Sequence, residues 1–226
     1  MDVRVLKQIG FTTVIGLVLA GAAAWRGTLT PGIMLFLLMV VAMTTIRAPH
    51  TTDPLPVSGS ARDGREKVLV QLVAIGMMYL PAVAIATPLL DFAVHPNPNW
   101  VTGLGILFAC LGLWLFWRSH ADLDKNWSPV LELREGHGLV SGGVYARIRH
   151  PMYSAIYLIV GAQLAFLGNW VAGPAGLIAF TLLYLDRVGP EERLMAERFG
   201  TDYDRYVART GRLVPKFGRA RPGATA

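Results

Sequence analysis

Residues able to do chemistry are concentrated in three polar clusters of the C-terminal half. Their sequences are KNWS at 125–128, HGLVSGGVYARIRHPMY at 137–153 and RVGPEERLMAERFGTDYDRY at 187–206. Each cluster borders a long apolar segment, which places its charges at the edge of a membrane. A charge at the bilayer centre costs about 2.5–3.5 kcal/mol, so charged residues beside apolar spans are candidates for function.

Each of these residues, taken alone, also has an ordinary structural explanation. Arg149 could anchor a helix at the interface, His150 could precede a helix, and Glu191 could favour a helix N-terminus by its charge. The set favours function because the apolar block between Tyr153 and Asp186 is long enough to cross and return. His150 and Arg187 would then lie on the same side of the membrane.

Other common chemistries lack their motifs. There is no HExxH and no cysteine pair, and His120-Ala121-Asp122 is too little for a metal site, so no metal is expected. The segment GHGLVS at 136–141 lacks the third glycine and the preceding strand of a dinucleotide fingerprint. No serine occupies a nucleophile elbow. Cys110 lies inside an apolar run and is interpreted as a small buried residue.

The elements that position the clusters are predicted to be transmembrane helices. The chain is 53% hydrophobic and only 16% charged, with its apolar residues in long blocks. A spanning helix needs about 20 such residues. The predicted fold class is an all-α polytopic membrane bundle of about six transmembrane helices. The expected spans are 9–25, 31–46, 68–90, 99–117, 153–168 and 171–186.

Two prolines are expected to interrupt helices. Pro81 should kink the third span, a fault that neighbouring helices can repair. Pro190 should begin a separate amphipathic helix, which Gly200 then ends. Under this interpretation Arg187 and Glu191 do not share one continuous helix, so a simple i,i+4 salt bridge is not expected.

The distribution of cations predicts the orientation. Of the 21 Lys and Arg residues, 20 fall on alternate connections, which places both termini and the long loops in the cytoplasm. Trp25, Trp100 and Trp170 fall on the opposite face, where an aromatic belt is expected. The net charge of +6 then favours contact with anionic lipid headgroups, and no nucleic-acid partner is expected.

The chain divides into three predicted regions. They are an N-terminal transmembrane hairpin (1–47), a polar cytoplasmic linker (48–67) and a core of four transmembrane helices with cytoplasmic segments (68–226). The hairpin is expected to be peripheral to function. An alternative for its first helix is a cleavable signal peptide, since Arg4 and Lys7 precede an apolar stretch that ends in three alanines.

The second and third clusters together resemble the isoprenylcysteine carboxyl methyltransferase family and its phospholipid N-methyltransferase relatives. The resemblance rests on RHPMY at 149–153 followed, across a hairpin, by EERLMAERFGTDYDRY at 191–206. It covers about residues 100–217. The upstream KNWSPVLELREGH at 125–137 resembles the bacterial branch, which implies a bacterial inner membrane with the active site on its cytoplasmic side.

The resemblance implies a binding site for S-adenosylmethionine (AdoMet). The residues that match the family's cofactor contacts are His137, Gly138, Leu139, Val140, Tyr145, His150, Pro151, Met152, Tyr153 and Glu191. Arg187 matches the family's substrate-contacting arginine and is the expected catalytic residue. One departure is Val130, where eukaryotic members have a cofactor-contacting glutamine.

The expected activity is therefore AdoMet-dependent methylation of an isoprenoid, fatty or phospholipid acceptor. Arg187 favours a carboxylate acceptor, because a carboxylate needs a cation to position it and no general base. Two alternatives stay open, namely an NADPH-dependent membrane reductase of sterol or isoprenoid type and a non-catalytic membrane scaffold. The oligomeric state is not predicted.

Overall fold

The computed structural model describes residues 2–50, 64–123 and 139–216, which form eight α-helices. They are α1 (Val3–Trp25), α2 (Pro31–Arg47), α3 (Gly64–Ala74), α4 (Leu80–Ala86), α5 (Asn99–Leu123), α6 (Pro151–Leu167), α7 (Ala172–Phe199) and α8 (Thr201–Arg209). Short 3₁₀ turns cover Ala48–His50, Pro88–Ala93 and Gly143–Ala146. Extended pairing in the described residues is limited to two isolated bridges. The all-α fold class is confirmed.

Four helices among the described residues are long and apolar enough to cross a membrane. They are Val3–Trp25, Pro31–His50, Gly64–Ala86 and Asn99–Leu123, while Pro151–Leu167 is a shorter apolar helix. The expected spans 9–25 and 99–117 were too short, since the helices begin at Val3 and continue to Leu123. The count of six spans and their orientation remain predictions.

The N-terminal hairpin packs into the same core as the C-terminal half. Helix α2 lies against α5 and α6, and a Cβ added at Gly32 would collide with the carbonyl of Phe166. The buried cluster that they share includes Ile33, Phe36, Leu37, Ile159, Ala162 and Phe166. The proposed boundary at 48–67 falls largely outside the described residues and remains a prediction.

The third spanning helix is interrupted one turn before Pro81. A π-helical turn, Ile75–Tyr79, joins α3 to α4, and the backbone N–H of Leu80 donates to the carbonyl of Ile75. The carbonyl of Gly76 would need the nitrogen of Pro81, which carries no hydrogen. The buried side chain of Gln163 supplies the missing donor, with its Nε2 2.9 Å from that oxygen. The expected repair by a neighbouring helix is present.

Helix α7 continues through Pro190, contrary to the sequence-based expectation. It runs from Ala172 to Phe199, so Pro190 lies inside it and begins no new helix. A proline removes one backbone hydrogen bond, here the bond to the carbonyl of residue 186. Contacts of α7 with α3, α6 and α8 compensate for that loss. The helix then ends at Gly200 with φ of +49°, as expected.

Candidate active site

The hairpin of α6 and α7 brings four predicted site residues together at one end. The hydroxyl of Tyr153 donates to Glu191 Oε1 at 2.5 Å, and His150 Nδ1 lies 3.6 Å from Glu191 Oε2. Arg187 Nε lies 3.6 Å from Glu191 Oε1. His150 and Tyr153 also stack, with ring centroids 5.5 Å apart and planes at 17°. Glu191 is thus the centre of the cluster.

Arg187 lies between two carboxylates, and its position corrects an expectation. Because α7 is continuous, Arg187 and Glu191 form an i,i+4 ion pair, which the sequence did not predict. On its other side, Arg187 Nη2 lies 3.7 Å from Glu66 Oε1 at the start of α3. Both distances exceed hydrogen-bonding length, and the buried Nε has no acceptor among the described residues. The guanidinium therefore retains donor capacity.

The adjacent Glu192 has a different environment. Its Oε1 accepts from Arg149 Nε at 3.2 Å and Arg212 Nε at 3.0 Å, and its Oε2 accepts from Arg212 Nη2. His150 Nε2 lies 3.4 Å from the same carboxylate. The hydrogen bond with His150 and the bonds with Arg212 lower the pKa of Glu192 to about 2, although burial opposes the shift. Glu192 is therefore an ionised structural anchor.

A segment that sequence reasoning missed supports the second cluster. Residues 210–213 lie alongside 147–150, with Arg149 N donating to Gly211 O at 2.8 Å and His150 N to Arg212 O at 3.0 Å. Gly211 in turn donates to Arg147 O at 3.0 Å. A Cβ at Gly211 would collide with the carbonyl of Val214, so the chain needs glycine there. Gly211 was the one feature of the sequence that could have indicated this close contact.

Comparison with known proteins is consistent with this geometry. Residues 104–197 match the family model described as "Isoprenylcysteine carboxyl methyltransferase (ICMT) family". The chain is 28% identical to Protein-S-isoprenylcysteine O-methyltransferase B of Arabidopsis thaliana over 67% of its own length and 81% of the relative. It is 29% identical to Protein-S-isoprenylcysteine O-methyltransferase of Homo sapiens over 52% of its own length and 42% of the relative.

Residues 104–197 are thus similar to the isoprenylcysteine carboxyl methyltransferase family. The comparisons support a membrane methyltransferase, and they support neither the reductase nor the scaffold alternative. The bundle also matches a solved structure of the eukaryotic intramembrane Ras methyltransferase ICMT. That match has a TM-score of 0.57 and 20% identity, and it covers 92% of this chain and 73% of the other. It shows a shared fold.

The other predicted site residues have varied surroundings. His137 and Gly138 lie outside the described residues, as does the KNWS cluster. Leu139 and Val140 are half-buried, Pro151 is fully buried at the start of α6, and Met152 packs against the apolar core.

Tyr145 is buried where the loop meets α5 and α8. Its hydroxyl lies 3.5 Å from the carbonyl of Ser119, and its own carbonyl accepts from Tyr206 at 2.8 Å. Burial raises the pKa of the Tyr145 phenol, which stays neutral. The preceding turn needs Gly143, at φ +57°, because a Cβ would collide with the carboxylate of Asp122. Tyr145 therefore fixes the loop by contacts within the protein.

The residues around Glu191 have the chemistry that AdoMet requires. AdoMet carries a sulfonium cation and an amino acid zwitterion, which a carboxylate and hydrogen-bonding rings can recognise. The Glu191 side chain is 19% exposed, and its one hydrogen bond among the described residues comes from the Tyr153 hydroxyl. Glu192 is similarly buried, at 17% exposed, but its oxygens already hold two arginines. Of the two carboxylates, Glu191 is the one suited to a cofactor.

Proposed function

We propose that this chain transfers the methyl group of AdoMet to the carboxylate of a lipid-like acceptor. The relatives are named for isoprenylcysteine, so an S-prenylated cysteine carboxylate is the first acceptor to consider. The observation that carries the proposal is the position of Arg187 beside Glu191. A cation for the acceptor and an anion for the cofactor then adjoin each other at one end of the α6–α7 hairpin.

Arg187 is proposed to bind the acceptor carboxylate. Its guanidinium can present two parallel N–H donors to a carboxylate, which lysine cannot imitate. Its present contacts with Glu66 and Glu191, at 3.7 and 3.6 Å, are longer than hydrogen bonds. A closer carboxylate can therefore replace them without loss of an existing hydrogen bond to Nε.

Glu191, His150 and Tyr153 are proposed to hold the cofactor. When bound, AdoMet supplies an electrophilic methyl group on a positively charged sulfur. Glu191 would offset positive charge on the cofactor, and the Tyr153 hydroxyl fixes the rotamer of that carboxylate by the bond at 2.5 Å. The stacked rings of His150 and Tyr153 offer an apolar surface beside it. His137, Gly138, Leu139, Val140, Tyr145, Pro151 and Met152 remain proposed cofactor contacts by resemblance.

The proposed reaction requires positioning and no acid–base catalysis. The acceptor oxygen forms a bond to the methyl carbon while the bond from that carbon to sulfur breaks, which leaves a neutral ester and a neutral thioether. No proton moves, so neither His150 nor Tyr153 needs to act as a base. Holding the reactants in line is worth up to about 7–11 kcal/mol of the barrier. In this scheme Arg187 supplies the alignment.

The acceptor is proposed to reach the site from the bilayer on the cytoplasmic side. The exposed apolar residues of α7, Ile178, Leu182 and Leu185, lie two to nine residues before Arg187 and would contact lipid. Cysteines introduced separately at Asn99 and Arg205, in a Cys110→Ala background, should react with an impermeant maleimide outside and inside the cell, respectively. Labelling of Arg205→Cys from outside would contradict this orientation.

The function is tested with radiolabelled AdoMet and a panel of acceptors. The purified protein in mixed micelles would receive N-acetyl-S-farnesylcysteine, its carboxamide, palmitate or phosphatidylethanolamine. We expect label in the farnesylcysteine product that mild base releases as methanol, and none with the carboxamide. Base-stable label in phosphatidylethanolamine would instead identify amine methylation. Transfer to none of the four would contradict the proposal.

A further inference from the structure

Helix α3 contributes a residue to the proposed acceptor site that lies outside the residues matched by the family model. Glu66 lies in the first turn of α3, outside the matched residues 104–197, yet its Oε1 is 3.7 Å from Arg187 Nη2. Both side chains are largely buried, at 19% and 16% exposed. Glu66 is thus a carboxylate held beside the cation that is proposed to bind a substrate carboxylate.

Two ion pairs join the start of α3 to α7, and their lengths differ. Arg65 Nε lies 2.9 Å from Asp186 Oδ1, a hydrogen-bonding distance, while Glu66 and Arg187 are 3.7 Å apart. The Arg65 pair is hydrogen-bonded but largely exposed on the Arg65 side, and α3 also packs directly against α7. The longer pair contributes little to holding α3 against α7. It also leaves the buried Nε of Arg187 without an acceptor among the described residues.

We propose that Glu66 is an internal competitor for Arg187 and a specificity-determining residue for the acceptor. It occupies the place of the acceptor carboxylate while the site is empty and is displaced when an acceptor binds. Its negative charge lowers the affinity of every anionic acceptor. Only acceptors with enough binding energy from a long apolar chain overcome this competition. Glu66 thus raises the binding energy that the apolar chain of an acceptor must supply before methylation is detectable at a given concentration.

This inference rests on the proposed function, and it predicts an unusual gain. Replacing Glu66 with glutamine removes a like charge near the acceptor while keeping the size of the side chain. We expect Glu66→Gln to lower the KM for farnesylcysteine about tenfold, with kcat and the KM for AdoMet unchanged within twofold. Short-chain S-alkyl cysteines, which we expect the wild type to leave unmodified, should become substrates.

The matched control is Arg65→Gln, which breaks the neighbouring α3–α7 pair without touching Arg187. If Glu66 only fastened α3, both variants would act alike, with lower thermal stability and an unchanged or higher acceptor KM. Glu66→Asp, which keeps the charge but retracts it by one methylene, should lower the KM less than Glu66→Gln does. If Glu66→Gln fails to fold, the acceptor KM of Glu66→Asp still tests the inference.

The outcomes separate this inference from the proposed function. If the wild type methylates no carboxylate, the function itself is wrong. If the wild type methylates farnesylcysteine but neither Glu66 variant lowers the acceptor KM or extends activity to short chains, Glu66 is not a competitor. A parallel tenfold fall in KM for Arg65→Gln would also overturn the inference.

Discussion

The two ends of the α6–α7 hairpin use polar side chains in opposite ways. At the turn, both polar atoms of the Asn169 side chain are hydrogen-bonded. Nδ2 donates to Leu90 O at 2.9 Å, and Oδ1 accepts from the backbone of Val171 and Ala172 at 3.0 and 2.9 Å. At the other end, Arg187 faces two carboxylates at more than 3.5 Å, with a buried Nε left unbonded within the described residues.

The difference separates a structural polar group from one available to a ligand. A buried side chain whose hydrogen bonds are complete gains nothing from a ligand and loses much if removed. A buried side chain with unused donors is costly to the fold and is retained where it binds something. The turn is therefore interpreted as structure and the Arg187 end as the site.

The largest expected effect tests the Arg187 end. Arg187→Ala and Arg187→Lys should each lower kcat/KM for farnesylcysteine about a hundredfold or more, because a lysine ammonium cannot reproduce the two-donor geometry. Calorimetric affinity for AdoMet should change less than fivefold. Arg193→Lys, an exposed position on the same helix, serves as the control. Full activity in Arg187→Lys would reduce Arg187 to an interfacial anchor.

The opposite result is expected at the turn. Asn169→Ala should destabilise the protein by about 2–3 kcal/mol, because three backbone groups, one buried and two partly buried, lose their partner. Activity per folded molecule should remain near that of the wild type. Unfolding in a denaturing detergent titration measures the first quantity, and the exposed Asn99→Ala is the control. A selective loss of methyl transfer at full stability would place function at both ends.

Within the site, the same contrast between a ligand-binding and a structural side chain is expected for the adjacent Glu191 and Glu192. Glu191→Gln should weaken AdoMet binding about tenfold with little change in melting temperature, because it removes the negative charge that faces the cofactor. Glu192→Gln should instead lower the melting temperature, because Arg149 and Arg212 lose their anion. Calorimetry and thermal unfolding on both variants measure the two effects. Interchanged results would assign the cofactor to Glu192.

The smallest expected effect is on the pH dependence of stability through Glu192. The pKa of Glu192 is about 2 in the folded protein against an ordinary 4.5, so its ionised form stabilises the fold. That contribution is complete above about pH 5 and is lost as the pH falls from 4.5 toward 2. The stability difference between wild type and Glu192→Gln should therefore shrink as the pH falls below 4.5. A constant difference down to pH 3 would contradict this assignment.

Much of the molecule follows from residue order alone. Long apolar blocks can satisfy their backbone in lipid only as helices, so the sequence predicted the helical membrane fold. The hairpin between Tyr153 and Asp186 required His150 and Arg187 to meet at one end. The αL glycine at 168, with φ of +53°, forms the turn between its two helices.

Other features depended on contacts that no local pattern carries. Pro190 is a helix breaker by type, yet the packing of α7 offsets the one hydrogen bond that it removes. Glu191 and Glu192 are both glutamates in the same helical turn, but consecutive side chains on a helix point about 100° apart. One therefore faces Tyr153 and the other faces Arg149, and only the tertiary structure decides which partner each one meets.

Tertiary packing also explains why two parts of the site come from distant parts of the chain. Residues 210–213 support His150, and Glu66 faces Arg187, across separations of 60 residues or more that no periodicity or motif records. Sequence determined which residues could carry charge at the membrane edge. Tertiary packing decided which of those charges are satisfied and which remain available to a ligand, because hydrogen-bond satisfaction depends on neighbours in space.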